Sequence, residues 1–331
     1  AQPWTVHADE DGLRLFLDPD RTTAMDVQFR GSYVALGAAL YNARVAAAAR
    51  GVLGPVEYFG DQPMLVAGMT FGTGTDEDLA RRVGGMLRRG TNRRAGVPRP
   101  VESGVSGALA DAAGAEDARL SVVTDRSGIG AAAELFAASD RVRFLDPRLH
   151  REMIGELRWP GRDSMDSGID VRSLELDDAD LAALRVLSRP DAMAHLAEWG
   201  LGQSLGMRTR ERVESSSALV AVVVAGDRPR DFLRGGAAAE SVWIAAEEHG
   251  LAVQPVSPVF LYGLDATDLG ELAPAHAGQL SHGATALRDL FRVAAGEAVA
   301  LVLRLSHAPR ASVRSGRRPL EPERASGGQT G

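Results

Sequence analysis

The chain has 331 residues and a formal net charge of −7, and 45% of it is hydrophobic but only 5% aromatic, so Ala, Val and Leu must fill the core. It contains no cysteine, which excludes disulfides, thiolate metal sites and a cysteine nucleophile. The acidic balance argues against broad nucleic-acid binding. No apolar run reaches the roughly 20 residues needed to cross a bilayer, and no signal peptide is visible, so the expected compartment is the cytoplasm.

In chain order, residues 13–17 alternate apolar and polar and read as a strand, and Asp18-Pro19-Asp20 turns the chain. Residues 25–36 lead into a helix over 37–51, and 65–70 read as another strand. A helix is expected over 75–89, with Thr75 or Asp76 as cap and Leu79, Val83 and Met86 on one face. The run Arg88-Arg89-Gly90-Thr91-Asn92-Arg93-Arg94 is the densest cationic stretch, and Pro98 and Pro100 break what precedes them. Residues 120–124 read as a strand, and 130–138 and 148–157 as helices.

Residues 161–212 read as an insertion that covers something. It opens on a Gly/Ser/Asp-rich loop, carries a helix over 177–187 and a break at Pro190, and ends in a polar, poorly patterned stretch over 200–212. The unbroken apolar run 218–224 is a strand buried on both faces. A helix over 236–250, another over 284–294 and a strand over 298–305 follow, and the tail 325–331 is expected to be disordered. Scattered strands among helices favour a mixed α+β layer over a doubly wound sheet. No GxGxxG follows a strand, and Gly72-Thr73-Gly74 reads as a plain loop.

The helices at 37–51 and 236–250 look like copies. Gly37, Ala38, Ala39, Ala46, Ala47 and Gly51 fall on Gly236, Ala237, Ala238, Ala245, Ala246 and Gly250, and each copy runs on into an apolar, Pro-containing turn. Alanine favours helix, small side chains let another backbone approach, and glycine past the last turn closes a helix. The pattern predicts two similar halves packed across a tight interface; the alternative is a chance likeness between Ala-rich helices.

The catalytic inventory is thin. His249, His276, His282 and His307 show no metal-ligand spacing, there is no G-x-S-x-G elbow, and Asp177-Asp178 and Glu247-Glu248 sit on helices that look solvent-facing. The positive features are the cluster at 88–94 and a second, Arg314-Ser315-Gly316-Arg317-Arg318-Pro319-Leu320, after the last strand. Guanidinium forks beside small polar residues suit a phosphate group, with Asn92 as a further donor. Taken alone, either cluster also reads as a solvated basic edge.

These residues carry a resemblance. Ala1-Gln2-Pro3-Trp4 resembles the end of the A-P-S-x-H-N-x-Q-P-W motif of nitroreductase-like flavoproteins, and more narrowly the chain resembles the Acg family. Residues 18–30 with Gly37-Ala38-Ala39-Leu40, then Thr91-Asn92-Arg93-Arg94, Glu156-Leu157-Arg158-Trp159, Gly236-Ala237-Ala238-Ala239 and Arg317-Arg318-Pro319-Leu320 follow the family's order. The resemblance implies the α+β nitroreductase fold, with a homodimer-like pair of pseudo-symmetric halves fused in one chain. The halves would be 1–87 and 88–324, the second with a lid over about 161–212. It implies FMN, with Arg89, Asn92, Arg93, Arg94, Arg317 and Arg318 at its phosphate, Gln2 at the ring or ribityl chain, and Gln254 and Pro255 beside the ring. Gly90 stands where the family's phosphate motif has its leading arginine, Gly96 where it has an aromatic, and the chain starts after A-P-S-x-H-N, so residues are expected to precede Ala1.

The implied function is an oxidoreductase whose flavin takes hydride from NAD(P)H and passes electrons to a nitroaromatic or quinone. The cofactor carries that chemistry, which accommodates the absence of any catalytic side chain from the reading. The alternatives are a non-catalytic FMN sequestration protein of the Acg type, linked to stress or dormancy, and a flavin-less descendant.

Overall fold

Two long helices cross at the centre of the computed structural model, which describes residues 2–318. They are α1 (Arg30–Ala49) and α10 (Pro229–Glu248). At the crossing the backbones touch: a Cβ on Gly37 would overlap the Leu233 carbonyl, and one on Gly236 would overlap the Val34 carbonyl. Each glycine thus meets the residue three before the other glycine, which is the geometry of a local two-fold. The helices also end alike. Val52 N–H bonds the Ala47 carbonyl at 3.0 Å and Leu251 N–H the Ala246 carbonyl at 2.9 Å, with Gly51 (φ 68) and Gly250 (φ 74) in the left-handed conformation.

The chain around each helix repeats as well. In the first half β1 (Trp4–Ala8), β2 (Gly12–Leu17), β3 (Val56–Tyr58) and β4 (Leu65–Thr70) form an antiparallel sheet of order β1-β2-β4-β3. In the second, β5 (Arg119–Val123), β8 (Ala218–Ala225), β9 (Ala252–Val256) and β10 (Glu297–Ser306) form one of order β5-β8-β10-β9. In both, the long helix joins the second strand to the third. The architecture is α+β, and its strands are ordered into two sheets rather than scattered.

Between the sheets in sequence run α2 (Glu77–Arg81), α3 (Val83–Arg88) and α4 (Ser103–Gly114), where one helix was expected over 75–89 and none over 103–114. After β5 come α5 (Arg126–Leu145) and α6 (Pro147–Gly155), each capped by an aspartate, Asp125 and Asp146. The insertion contains the short parallel pair β6 (Leu157–Arg158) and β7 (Ile169–Asp170), then α7 (Asp178–Leu187), α8 (Pro190–Glu198) and α9 (Met207–Glu214). It is therefore more helical than its polar sequence suggests. Between β9 and β10 lie α11 (Ala266–Leu272) and α12 (Ala277–Leu290).

The main core wraps β8, whose first seven residues are buried, as the apolar run 218–224 predicts. β8 is buried because helices cover both faces of an antiparallel sheet, not because its neighbours are parallel. A second cluster joins Leu303 and Leu305 of β10 to Trp243 and Val253, so alternate residues of β10 face opposite layers. The tail 325–331, Pro319 and Leu320 lie outside the described residues. Among the described residues no helix is long and apolar enough to cross a membrane.

Two measurements test this account. Gly37→Ala or Gly236→Ala should cost about 3 kcal/mol or more, since a methyl forced onto backbone overpacks a rigid crossing. Gly107→Ala in α4, where a Cβ would meet nothing, should gain roughly 0.5–1 kcal/mol in the same urea titration. At the far end of the second sheet, Arg119 bonds both oxygens of Glu297, at 2.7 and 2.5 Å, and holds that carboxyl down to about 2. Its stabilising effect is present above the ordinary glutamate range and lost as pH falls toward 2. Glu297→Gln should cost about 1 kcal/mol at pH 7, reduced by the exposure of Arg119, and the cost should shrink steadily as pH falls toward 2.

Candidate functional site

β9 is an edge strand, and residues 89–97 run along it. Thr91 bridges Val253, Asn92 N–H donates to the Val253 carbonyl at 2.8 Å, and Val97 N–H to the His307 carbonyl at 2.9 Å. Leaving β10, the chain turns back over this segment in the opposite direction. Asn92 Nδ2 donates to the Pro309 carbonyl at 2.7 Å, Arg94 Nε to that of Arg310 at 2.9 Å, and Arg314 to those of Leu87 and Arg88 at 2.7 and 2.9 Å. The two cationic stretches of the sequence are thus paired into one strap at the border of the halves. Arg318 N–H bonds Gln2 Oε1 at 2.8 Å, which brings the start of the described chain to the same place.

The arginines of the strap have different neighbours. Arg89 bonds Glu240 of α10 at 2.6 Å, and its guanidinium lies 4.8 Å from the centre of the Trp243 ring. Arg317 sits close by. Burial pushes its guanidinium down, the positive charge of Arg89 adds to the effect, and Glu240 opposes it. Burial in turn pushes the Glu240 carboxyl up, against the pull of Arg89 and hydrogen bonds from Asn42 and Arg89. Glu240 ion-pairs with Arg89, while Arg317 forms no ion pair among the described residues.

Arg93 turns the other way. It is buried, donates to Ser173 of the insertion, and is pushed down to about 10 by burial and by Arg212. Arg94 is held by the Ser312 hydroxyl at 2.6 Å and by Glu175 at 3.3 Å. Asn92 is spent internally, since its Oδ1 also accepts from Arg94 N–H at 3.1 Å. Gln254 stands opposite Arg304 in the β9–β10 register, and its buried Oε1 has no hydrogen-bond partner. Pro255 follows it on the edge strand. Of the expected contacts, Asn92, Arg93 and Arg94 are tied to the returning strap and to the insertion, Arg318 is tied to Gln2, Arg89 is tied to Glu240 within reach of the charge of Arg317, and Gln254 and Pro255 continue β9 past the Thr91 bridge.

Reading the sequence did not find Glu240, Trp243 or Arg304. Arg304 is 1% exposed, has no carboxylate partner, and donates to the carbonyls of Arg94 at 2.7 Å, Arg212 at 2.9 Å and Asn92 at 3.3 Å. Burial and Arg212 push it down to about 9, so it is cationic at neutral pH. It ties the strap and α9 to the sheet. A lone charge within an apolar run, as in Ala-Glu-Ser-Val-Trp or Val-Leu-Arg-Leu, is the signal that marks such residues. No group of three or more His, Cys, Asp or Glu that could hold a metal occurs among the described residues. A cleft of about 950 Å³ lies elsewhere, at the start of α10, lined by Arg228, Arg230, Asp231 and Glu297.

No protein-family model matches the chain. The chain is 50% identical over 319 residues to the uncharacterized protein MT1398 of Mycobacterium tuberculosis, an alignment covering 96% of the chain and 45% of that protein. It is 30% identical over 181 residues to a protein of the same organism provisionally named NAD(P)H nitroreductase acg, covering 53% of each. The chain thus spans about half the length of the curated relatives it matches. Among solved structures, it is similar to oxidized iodotyrosine deiodinase bound to FMN and 3-iodo-L-tyrosine, at 12% identity and a TM-score of 0.41 over 73% of this chain and 98% of that one. It is also similar to a nitroreductase with bound FMN from Bacteroides fragilis, at 13% identity and a TM-score of 0.37 over 73% of this chain and 98% of that one.

Arg304→Met should leave the carbonyls of Asn92, Arg94 and Arg212 without their donor. The expected cost is about 2–3 kcal/mol in urea denaturation. Faster amide exchange over residues 92–97 should accompany it, while β8 stays protected.

Proposed function

We propose that this chain is a nitroreductase-like FMN protein, with the flavin held between the strap and β9. Arg89 and Arg317 would grip the phosphate, with Arg318 and Gln2 beside them. The supporting observation is that Arg89 and Arg317, far apart in sequence, come near enough for each to feel the other's charge beside the buried Glu240, which ion-pairs with Arg89. Gln254 adds an orphaned buried acceptor on the adjoining strand, which suits a polar ring carrying an N–H. The 30% identity to a chain named as an NAD(P)H nitroreductase points the same way. In this reading the two halves stand for the two subunits of a fused dimer, divided near residue 88.

Bound FMN would supply hydride and electron transfer, from NAD(P)H to a nitroaromatic or quinone acceptor. The protein's part is placement. Arg89 is kept in position by Glu240 and by the Trp243 ring, so its fork is oriented before an anion arrives. Arg317 closes on it from the strap, and the insertion limits water. A second reading, sequestration of FMN without turnover, is favoured by one observation: the insertion is docked on the strap, with the Met165 carbonyl against Gly316 and Glu175 on Ser312.

A visible spectrum of freshly purified protein should show a flavin band, and anaerobic NADH or NADPH should bleach it. A bound flavin that neither nucleotide reduces would leave sequestration standing and sink the reductase. Arg317→Ala should weaken FMN binding by about tenfold or more, since a charge-assisted hydrogen bond is worth roughly 1.5–3 kcal/mol. An unchanged dissociation constant would remove Arg317 from the phosphate site.

A further inference from the structure

The insertion reaches the strap through one carboxylate. Glu175 ends the short turn Val171–Leu174 in the left-handed conformation, φ 55 and ψ 42, and its side chain is 7% exposed. Its Oε1 accepts from Ser312 N–H at 2.7 Å and its Oε2 from the Ser312 hydroxyl at 2.8 Å. Arg94 Nη2 lies 3.3 Å from Oε2. Arg93 and Arg212 stand behind, both pushed down by burial; Asp140 and, after it, Glu175 draw Arg212, and Glu175 draws Arg93. Arg93 also holds Ser173, and Arg212 the Leu174 carbonyl at 3.0 Å.

A backbone N–H, a hydroxyl and a guanidinium converging on two oxygens, with more positive charge behind, form the donor set that takes a phosphate group. A plain structural salt bridge would not need the backbone N–H and hydroxyl of one residue to meet both carboxylate oxygens. Nor would it need a non-glycine residue in the left-handed region, where strain is retained only if the surroundings enforce it.

We propose that Ser312, Arg94, Arg93 and Arg212 form an anion subsite for a phosphomonoester group, and that Glu175 is its built-in occupant. Anion binding and docking of the insertion then compete for the same donors. An arriving phosphate displaces the Glu175 carboxylate, relieves its backbone, and frees residues 170–175 from the strap. The subsite stands on the geometry of these residues and is separate from Arg89 and Arg317, to which the FMN phosphate is assigned above.

The test compares wild type with Glu175→Gln, which keeps the shape and removes the charge, and with Glu175→Ala should the first fold poorly. The probe is inorganic phosphate, against chloride at equal ionic strength. Glu175→Gln should bind phosphate about tenfold more tightly than wild type and show a larger phosphate-dependent rise in thermal midpoint. Adding Arg94→Ala to Glu175→Gln should erase that gain. In wild type, saturating phosphate should speed amide exchange over residues 170–175. Equal phosphate affinity in wild type and Glu175→Gln, or a gain that survives Arg94→Ala, overturns the proposal. FMN titrations separate the two readings. Flavin binding that Glu175→Gln leaves unchanged supports a subsite separate from the flavin phosphate, and flavin binding that Glu175→Gln tightens overturns that separation. Phosphate binding by Glu175→Gln without FMN binding by any variant keeps the subsite and removes the flavin.

Discussion

The contact of Gly37 with the Leu233 carbonyl, and of Gly236 with that of Val34, sets the distance between the halves. Two helices at backbone contact cannot slide without lifting a whole layer, because nothing flexible lies between them. The crossing therefore fixes where α10 presents Glu240 and Trp243, and so where Arg89 can be held. It also fixes the position of β9, which follows α10 after a single glycine-closed turn. The strap, like Gln2, belongs to neither a sheet nor a central helix. It is secured by backbone bonds to Val253 and His307 and by the Arg304 guanidinium.

Electrostatically the region inverts the character of the chain. A protein with a net charge of −7 gathers Arg89, Arg93, Arg94, Arg212, Arg304 and Arg317 in one place. The carboxylates among them are few and divided: Glu240 pairs with Arg89, Glu175 pairs with Arg94, and the charge of Asp140 acts on Arg212. Guanidiniums are more weakly hydrated than ammonium groups and pair with planar anions by two bonds, which makes arginine the tolerable cation for such burial. Keeping this many together costs stability unless an anion offsets the repulsion. That cost is the physical reason to look for a ligand here.

Much of the frame was legible in the sequence, and the losses have causes. The repeated helices showed through their glycines and alanines, but α1 begins at Arg30 rather than Gly37 because the turns before the glycine carry bulk, Val34 and Leu36, that joins the core. The apolar run 218–224 announced β8. β9 was hidden by Pro255, which an edge strand tolerates and a central one would not. α9 was hidden by its charge: Met-Arg-Thr-Arg-Glu-Arg-Val-Glu has little apolar period and is held by the pairs Arg208–Glu211 and Arg210–Glu214 with Val213 buried. Within the site, the arginine clusters were visible, while the direction each fork faces was not. Glu175 gave no local signal at all, since only the fold brings it to Ser312.

How tightly the insertion closes bears on whether a flavin here would be used or stored. α7 has no fully buried residue, and α8 and α9 have one each, Met193 and Val213. Val186, Trp199, Leu201 and Met207 remain exposed. With so little buried apolar surface, α7 and α8 belong to the low end of the local stability range, whereas α9 is tied to the sheet by Arg304 and to the main core by Val213. The insertion's attachment to the strap is polar, through Ser173, Glu175 and Arg212, and polar contacts exchange readily for water or for another anion. A cover meant to imprison a cofactor would bury an apolar face against it. This one is clipped at a few charged points, an arrangement that favours exchange.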